Sequence, residues 1–281
     1  MSTHGEDVAT SQSAKARRFW TLHQTPGTFV IANAWDGGSA RILAGLGFEA
    51  LATSSGAAAA VLGRQDGSIS RDDALAQARV MCEATDLPVS ADLENGFSDA
   101  PADLADTIRR AAAAGLVGGS IEDAARDRKR SLYDLDLATA RVAAAVEAAR
   151  ALPFPFMVTA RSENFLRGNP DLDDTIRRLR AFEQAGADVL FAPGLPDLDA
   201  VRAVCAAVSK PVNFMVGIRG KSFSVAELAA AGVKRISLAA SLYRAAMAGL
   251  LAAAREVKES GTMTYLERAL AAEELRAFLR G

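Results

Sequence analysis

Short apolar runs alternate along this chain with Ala- and Leu-rich stretches of helical period. The runs fall at 29–34, 50–54, 88–92, 119–121, 156–160, 189–192, 212–216 and 235–239. Each is continuously apolar, the pattern of a parallel strand covered on both faces. Between them, 71–85, 102–114, 137–151, 173–185, 198–208 and 225–231 read as helices. Gly115, Gly186 and Gly232 each close a helix shortly before the next strand, in the recurring contexts AGL, AGAD and AGV. That is where C-terminal glycines belong. Pro88 and Pro211 stand at strand starts, where a missing N–H costs least. Eight strand–helix units over roughly 230 residues match an α/β fold of the (β/α)8 TIM-barrel type. An open doubly wound sheet is the competing arrangement, but no dinucleotide fingerprint follows the first strand.

The pattern divides the chain into a polar, flexible N-terminal segment at 1–16, a catalytic barrel at 17–260 and a C-terminal helical piece at 261–281. Beyond the eighth strand lie a long helix over 241–260 and an amphipathic segment over 264–280. Leu266, Leu270, Leu275, Phe278 and Leu279 of the latter fall on roughly one face. That stripe needs cover, either from a neighbouring subunit or from the bottom of its own barrel.

Composition narrows the class. Half of the 281 residues are hydrophobic, enough for a large core without staples. Lys and Arg total 32 against 34 Asp and Glu, a net charge of −2, without the basic excess of a nucleic-acid binder. The uncharged run 50–63 contains Thr53, Ser54, Ser55 and Gly56, and no apolar run reaches membrane-spanning length. The first residues lack the apolar stretch of a signal peptide. Two cysteines, Cys82 and Cys205, build no disulfide framework. The expectation is a cytoplasmic protein with neither nucleic-acid nor membrane partners.

Chemistry in such a barrel sits at the carboxyl ends of its strands, so polar residues there are informative. The third run ends in Asp92-Leu93-Glu94-Asn95-Gly96-Phe97. Asp92 and Glu94 share a face if the chain stays extended. The fourth ends in Ile121-Glu122-Asp123, one strand further round, which brings Glu122 toward Asp92. Asp123 reads as a cap for the segment after it. Carboxylates gathered in this way repel unless a cation compensates. Hard oxygen donors with no nearby His or Cys suit Mg²⁺, with Mn²⁺ as the substitute. The fifth run ends in Thr159-Ala160-Arg161-Ser162-Glu163, where Arg161 offers a fork for a carboxylate or phosphonate, or pairs with one of the acids. Thr53-Ser54-Ser55-Gly56-Ala57 ends the second run, with residues small enough for backbone N–H groups to approach an anion. Asp66, in Gly63-Arg64-Gln65-Asp66-Gly67, is a further acid on that side. The segment 124–136 is longer than an ordinary βα loop and carries Arg126, Arg128, Lys129 and Arg130, so it reads as a basic lid or a solvated loop.

Absences matter too. His4 and His23 both precede the first strand, so histidine catalysis and a His-ligated zinc are not expected. Gly220-Lys221-Ser222 fails as a phosphate loop because Met215 stands where the first glycine belongs. No lysine lies in the first six runs, which argues against a Schiff-base aldolase.

In order and placement, the motifs at 53–56, 92–97, 121–123 and 159–163 resemble the phosphoenolpyruvate mutase/isocitrate lyase superfamily over about residues 17–260. The resemblance implies a Mg²⁺-binding barrel whose C-terminal helix is exchanged between subunits, commonly in a dimer of dimers. It also implies small 2-oxo or 2-hydroxy acid substrates, and cleavage or formation of C–C or P–C bonds through an enolate-like fragment. Asp92, Glu94 and Glu122 fall on the family's metal-shell carboxylates. Arg161 falls on its substrate-anchoring arginine, Ser55, Gly56 and Ala57 on its carboxylate cradle, and Asp66 near a further active-site acid. Two departures stand out: Asp92-Leu93-Glu94 replaces the usual Asp-x-Asp, with Ser98 where Gly is frequent. The lyases' Lys-x-Cys-Gly-His lid is missing, with Arg128-Lys129-Arg130-Ser131-Leu132 in that region. Isocitrate lyase activity proper is therefore not expected. The leading expectation is a Mg²⁺-dependent C–C lyase or decarboxylase on a small oxo- or hydroxy-di- or tricarboxylate. Tyr133, Ser131 and a metal-bound water are candidate proton donors. The alternatives are phosphonopyruvate P–C chemistry and a non-catalytic oxo-acid-binding barrel.

Overall fold

The computed structural model describes residues 10–126 and 132–280. Eight strands, β1 (Phe29–Asn33), β2 (Leu51–Ala52), β3 (Val89–Asp92), β4 (Gly118–Glu122), β5 (Met157–Arg161), β6 (Val189–Phe191), β7 (Val212–Met215) and β8 (Arg235–Ser237), pair in parallel with their chain neighbours. β8 returns to β1, with Phe29 opposite Arg235, and closes the barrel. Every expected run overlaps its strand, although the second keeps only two ladder residues.

The helices follow their local signals. α4 (Arg71–Ala84) starts at a Ser70/Asp73 capping box, and α5 (Pro101–Ala113) has proline in its first turn. α6 (Leu135–Arg150), α7 (Leu172–Gln184), α8 (Leu198–Ala207) and α9 (Val225–Ala230) complete the set expected from the pattern. Three others carry weaker signals: α1 (Gln12–Gln24), α2 (Gly37–Gly45) and α3 (Ser55–Val61). The segment expected to be flexible is helical from Gln12 onward, with Ser11 as its N-cap and Ala16 fully buried. Residues 1–9 lie outside the described ones. α1 closes the barrel's bottom, packing Phe19 with Phe29, Ile31, Val117, Met157 and Val189. Phe19 sits where Gly118 leaves room, since a Cβ there would lie 3.0 Å from its ring. Two larger apolar clusters fill the space between barrel and helices, one around β2–β4 and one around β5–β8.

After β8 the expected long helix is α10 (Ser241–Arg255), ending in a π-turn at Glu256–Ser260. None of its residues is buried. The amphipathic segment is broken into a 3-10 turn, Thr264–Glu267, and a short helix, α11 (Ala272–Leu279). α11 lies on α2: Phe278 packs against Gly45, and Arg41 Nη1 donates to the Leu279 carbonyl at 2.8 Å. The bottom is already filled by α1, so the stripe is not covered from there. Leu266 and Leu270 remain 62% and 50% exposed. No described helix is long and apolar enough to cross a membrane.

Candidate active site

α1 covers one end of the barrel, and its other end, where the strands reach their carboxyl termini, is open. A cavity of about 260 Å³ descends there between the strands, and an outer one of about 530 Å³ lies above it. Side chains tie the strand ends together where the backbone ladders stop. Asn33 donates to the Thr53 carbonyl at 2.6 Å and accepts from Leu238 N–H at 2.8 Å, while Thr53 Oγ1 accepts from Asp92 N–H at 2.9 Å.

Asp92 closes β3 and lines the deep cavity. Its carboxylate accepts from Ser55 N–H and Glu94 N–H, both at 3.2 Å. Glu94 does not continue the strand. Its φ is +49°, left-handed, as are those of Gly96 (+78°) and Phe97 (+63°). The shared face expected of an extended chain is therefore absent: Asp92 lines the deep cavity and Glu94 the outer one. Left-handed backbone at non-glycine residues costs about 1–3 kcal/mol and is concentrated at functional sites. The turn is held from behind, where Arg141 donates to the carbonyls of Asn95, Ser98 and Asp99 and stacks on Tyr133.

Arg161 stands between the acids. Its Nη1 is 3.8 Å from Asp92 Oδ1 and 3.6 Å from Glu122 Oε2, and its Nε donates to Glu163. It also lies over the Phe191 ring, 5.0 Å from its centroid. Arg161 is thus ion-paired with the acids, and it lines both cavities. Arg167 reaches Glu122 at 3.4 Å, and Arg126 reaches Glu94 at 3.4 Å while donating to the Ile69 carbonyl at 2.7 Å. The outer cavity thus holds four carboxylates (Asp66, Glu94, Glu122, Glu163) against three guanidiniums (Arg126, Arg161, Arg167), with Asp92 just below. Burial pushes Glu94 up to about 7 despite Arg126, and pushes Glu122 upward despite Arg161.

Among the described residues no three acid, His or Cys side chains stand close enough to cage an ion. Mg²⁺ does not require a cage; it takes one or two carboxylates and keeps several waters. The donor set fits such an ion. It is all oxygen, its carboxyl groups outnumber the guanidiniums around them, and Glu94 Oε1 is buried without a hydrogen-bond partner.

Other expectations fare differently. Ser55, Gly56 and Ala57 form the first turn of α3, capped by Ser54, and a Cβ at Gly56 would lie 3.5 Å from Asp66 Oδ2. Asp66 therefore joins the site. Asp123 faces away, pairing with Arg178 at 3.1 Å and accepting from Glu163 N–H at 2.8 Å. Tyr133 lines neither cavity; its hydroxyl donates to Asp99 at 2.6 Å and accepts from Asn95 at 2.9 Å, which removes it as a proton donor. Arg126 is tied to the site through Glu94 and the Ile69 carbonyl while remaining exposed. Arg128, Lys129, Arg130 and Ser131, the centre of the expected lid, lie outside the described residues. The sequence reading missed the deep lining of Ser90, Ser120, Asn213, Arg235 and Ser237. Arg235 gave a usable signal, a charge inside an apolar run, but at the strand's start rather than its end.

Comparison with known proteins gives the chain its relatives. The family model for phosphoenolpyruvate phosphomutase matches residues 19–258. A solved structure of a Burkholderia cenocepacia J2315 protein described broadly as a lyase/mutase is 51% identical, with a TM-score of 0.94, covering 96% of this chain and 98% of that one. An oxaloacetate decarboxylase of Paraburkholderia xenovorans (strain LB400) is 30% identical over 272 residues, 94% of this chain and 89% of the relative. The structure of a 2,3-dimethylmalate lyase is 27% identical with a TM-score of 0.85, covering 95% and 94% of the two chains.

Proposed function

Because the chain belongs to the phosphoenolpyruvate mutase/isocitrate lyase superfamily, we propose that its cavity carries out Mg²⁺-dependent C–C cleavage or decarboxylation of a small 2-oxo or 2-hydroxy di- or tricarboxylic acid. The chain is an enzyme of that superfamily's carbon–carbon lyase class. The observation that carries the finer reading is the sharing of one Arg161 nitrogen by Asp92 and Glu122 at the cavity mouth. A fork for the substrate's carboxylate and an acid shell for a cation meet at that point.

Asp92, Glu94 and Glu122 would hold Mg²⁺, with Mn²⁺ as substitute, and its chemistry there is Lewis-acid stabilisation of negative charge on substrate oxygen. Arg161, oriented by Glu163, grips the substrate carboxylate. A rigid guanidinium fork suits that task and wastes little reorganisation. Gly56 N–H would extend the cradle at the first turn of α3, where Ser55 N–H is taken by Asp92 and Ala57 N–H by the Ser54 cap, and Asp66 stands beside it. Leu166, Phe191 and Met215 give the cavity an apolar wall that limits water around the developing charge.

Asp92→Ala is expected to abolish metal-dependent turnover while circular dichroism shows the fold retained; full activity in that variant would sink the reading. A panel of oxaloacetate, 2-methylisocitrate, dimethylmalate-like acids and phosphonopyruvate, with and without chelator, identifies the substrate. The matching family's own description, phosphoenolpyruvate phosphomutase, favours a second reading of P–C chemistry. Turnover confined to phosphonopyruvate would select it. A binding-only barrel would show thermal stabilisation by oxo acids and no product. The exposed apolar residues of α10 and α11 further support assembly with a second copy through these helices, in a homo-oligomer.

A further inference from the structure

Arg235 begins β8 and lies at the floor of the deep cavity, 5% exposed. Its Nε donates to Asn213 Oδ1 at 2.8 Å, Nη2 to Thr159 Oγ1 at 3.0 Å, and Nη1 to His23 Nε2 at 3.3 Å. All three partners are neutral. The other buried arginines are arranged differently: Arg178 faces carboxylates, as does the half-buried Arg161, and Arg141 spreads its charge over three carbonyls and the Tyr133 ring. Among the described residues Arg235 alone couples a deeply buried charge, no carboxylate partner and an open cavity.

A guanidinium has five N–H donors, and three bonds leave one hydrogen on each terminal nitrogen, the pair that grips a carboxylate. Removing that charge from water without an anion is costly. TIM-barrel interiors are usually filled with branched apolar layers. This floor carries instead the hydroxyls of Ser90, Ser120 and Ser237 and the amide of Asn213. Thr159, which accepts from Arg235, lies two residues below Arg161 on the same strand, roughly 6.6 Å deeper at ordinary strand rise. The same cavity is lined by both arginines.

We propose that Arg235 is a specificity-determining anion anchor, binding the far carboxylate of a substrate whose near end is held at the mouth by Arg161. The site would then select doubly anionic acids over monocarboxylates of similar size. The inference deepens the proposed lyase reading and rests on it for the placement of the near end.

Calorimetric titration of the full chain with Mg²⁺ present, using malonate and succinate against acetate and propionate, tests the proposal. The wild-type chain should favour the diacids by about tenfold or more, the scale of a charged hydrogen-bonded contact. Arg235→Met should abolish that preference and leave the monoacids unaffected. Where that variant does not fold, Ser237→Asp decides. It keeps the guanidinium, supplies an internal carboxylate beside Asn213, and should abolish the preference equally. An undiminished preference in the folded variant overturns the proposal, as does the absence of any preference in the wild-type chain. Loss of preference in Arg235→Met, with no oxo or hydroxy diacid turned over by the wild-type chain, keeps the anchor and removes the lyase reading. Turnover of oxaloacetate with unchanged KM in Arg235→Met does the reverse.

Discussion

His23 donates from Nδ1 to the Phe19 carbonyl at 2.8 Å and accepts from Arg235 at Nε2, so its ring is neutral and its proton placement is set by its neighbours. Burial, with Arg235 second, lowers its pKa from 6.5 to about 3. Between those values the unfolded chain binds the proton and the folded chain does not. Native stability therefore falls as pH falls through this window. His23 should cost about 2 kcal/mol between pH 7 and pH 5. Urea midpoints at the two pH values measure it, and His23→Gln should remove that part of the slope; an unchanged slope would assign it to other groups. Cys82 and Cys205 are likewise structural, with thiols pushed up by burial to about 12 and 11. Legibility at this scale was uneven. Asp92, Glu122 and Arg161 announced themselves as charges ending apolar runs, whereas the left-handed turn at Glu94 and the partners of Tyr133 depend on distant chain.

Among elements, the helix-ending glycines show how repeat and packing meet. Gly115 has φ +96° and a Cβ there would lie 2.9 Å from Cys82 Cβ, while Gly27, at φ +94°, has nothing within 4 Å. Gly27→Ala should cost about 1–2 kcal/mol from left-handed strain alone. Gly115→Ala should cost about 1–3 kcal/mol more, from overpacking. Comparison of their thermal midpoints checks this, and equal losses would mean that the contact relaxes freely. The recurrence of AGL, AGAD and AGV thus reflects a backbone requirement shared by three units. The 264–280 segment shows the opposite case: its apolar period suggested one helix, but with no buried residue nothing holds its middle, and only Ala272–Leu279 is α-helical.

For the molecule as a whole, the exposed stripe is the main unsatisfied feature. Leu250, Leu251, Leu266 and Leu270 are each at least half exposed, more apolar surface than scattered single residues explain. Sedimentation should show a species larger than one chain, and Leu250→Glu with Leu266→Glu should reduce it toward the monomer. A wild-type monomer at micromolar concentration would remove the proposed assembly. α1 covers the bottom of the barrel, so the acids and arginines at the polar strand ends gather around the cavities at its top.

The eight apolar runs, the helix-closing glycines and the charges at strand ends were set by local chemistry, and they sufficed for the barrel and for most of its mouth. Strand period and helix period depend on neighbours a few residues away, which a sequence displays directly. Only the closed structure decided that Asp92 and Glu122 meet at one guanidinium nitrogen, that Glu94 leaves the strand, and that Arg235 lies uncompensated beneath them. Those facts depend on contacts between residues dozens to hundreds of positions apart, and the sequence shows no distance between them until the barrel closes.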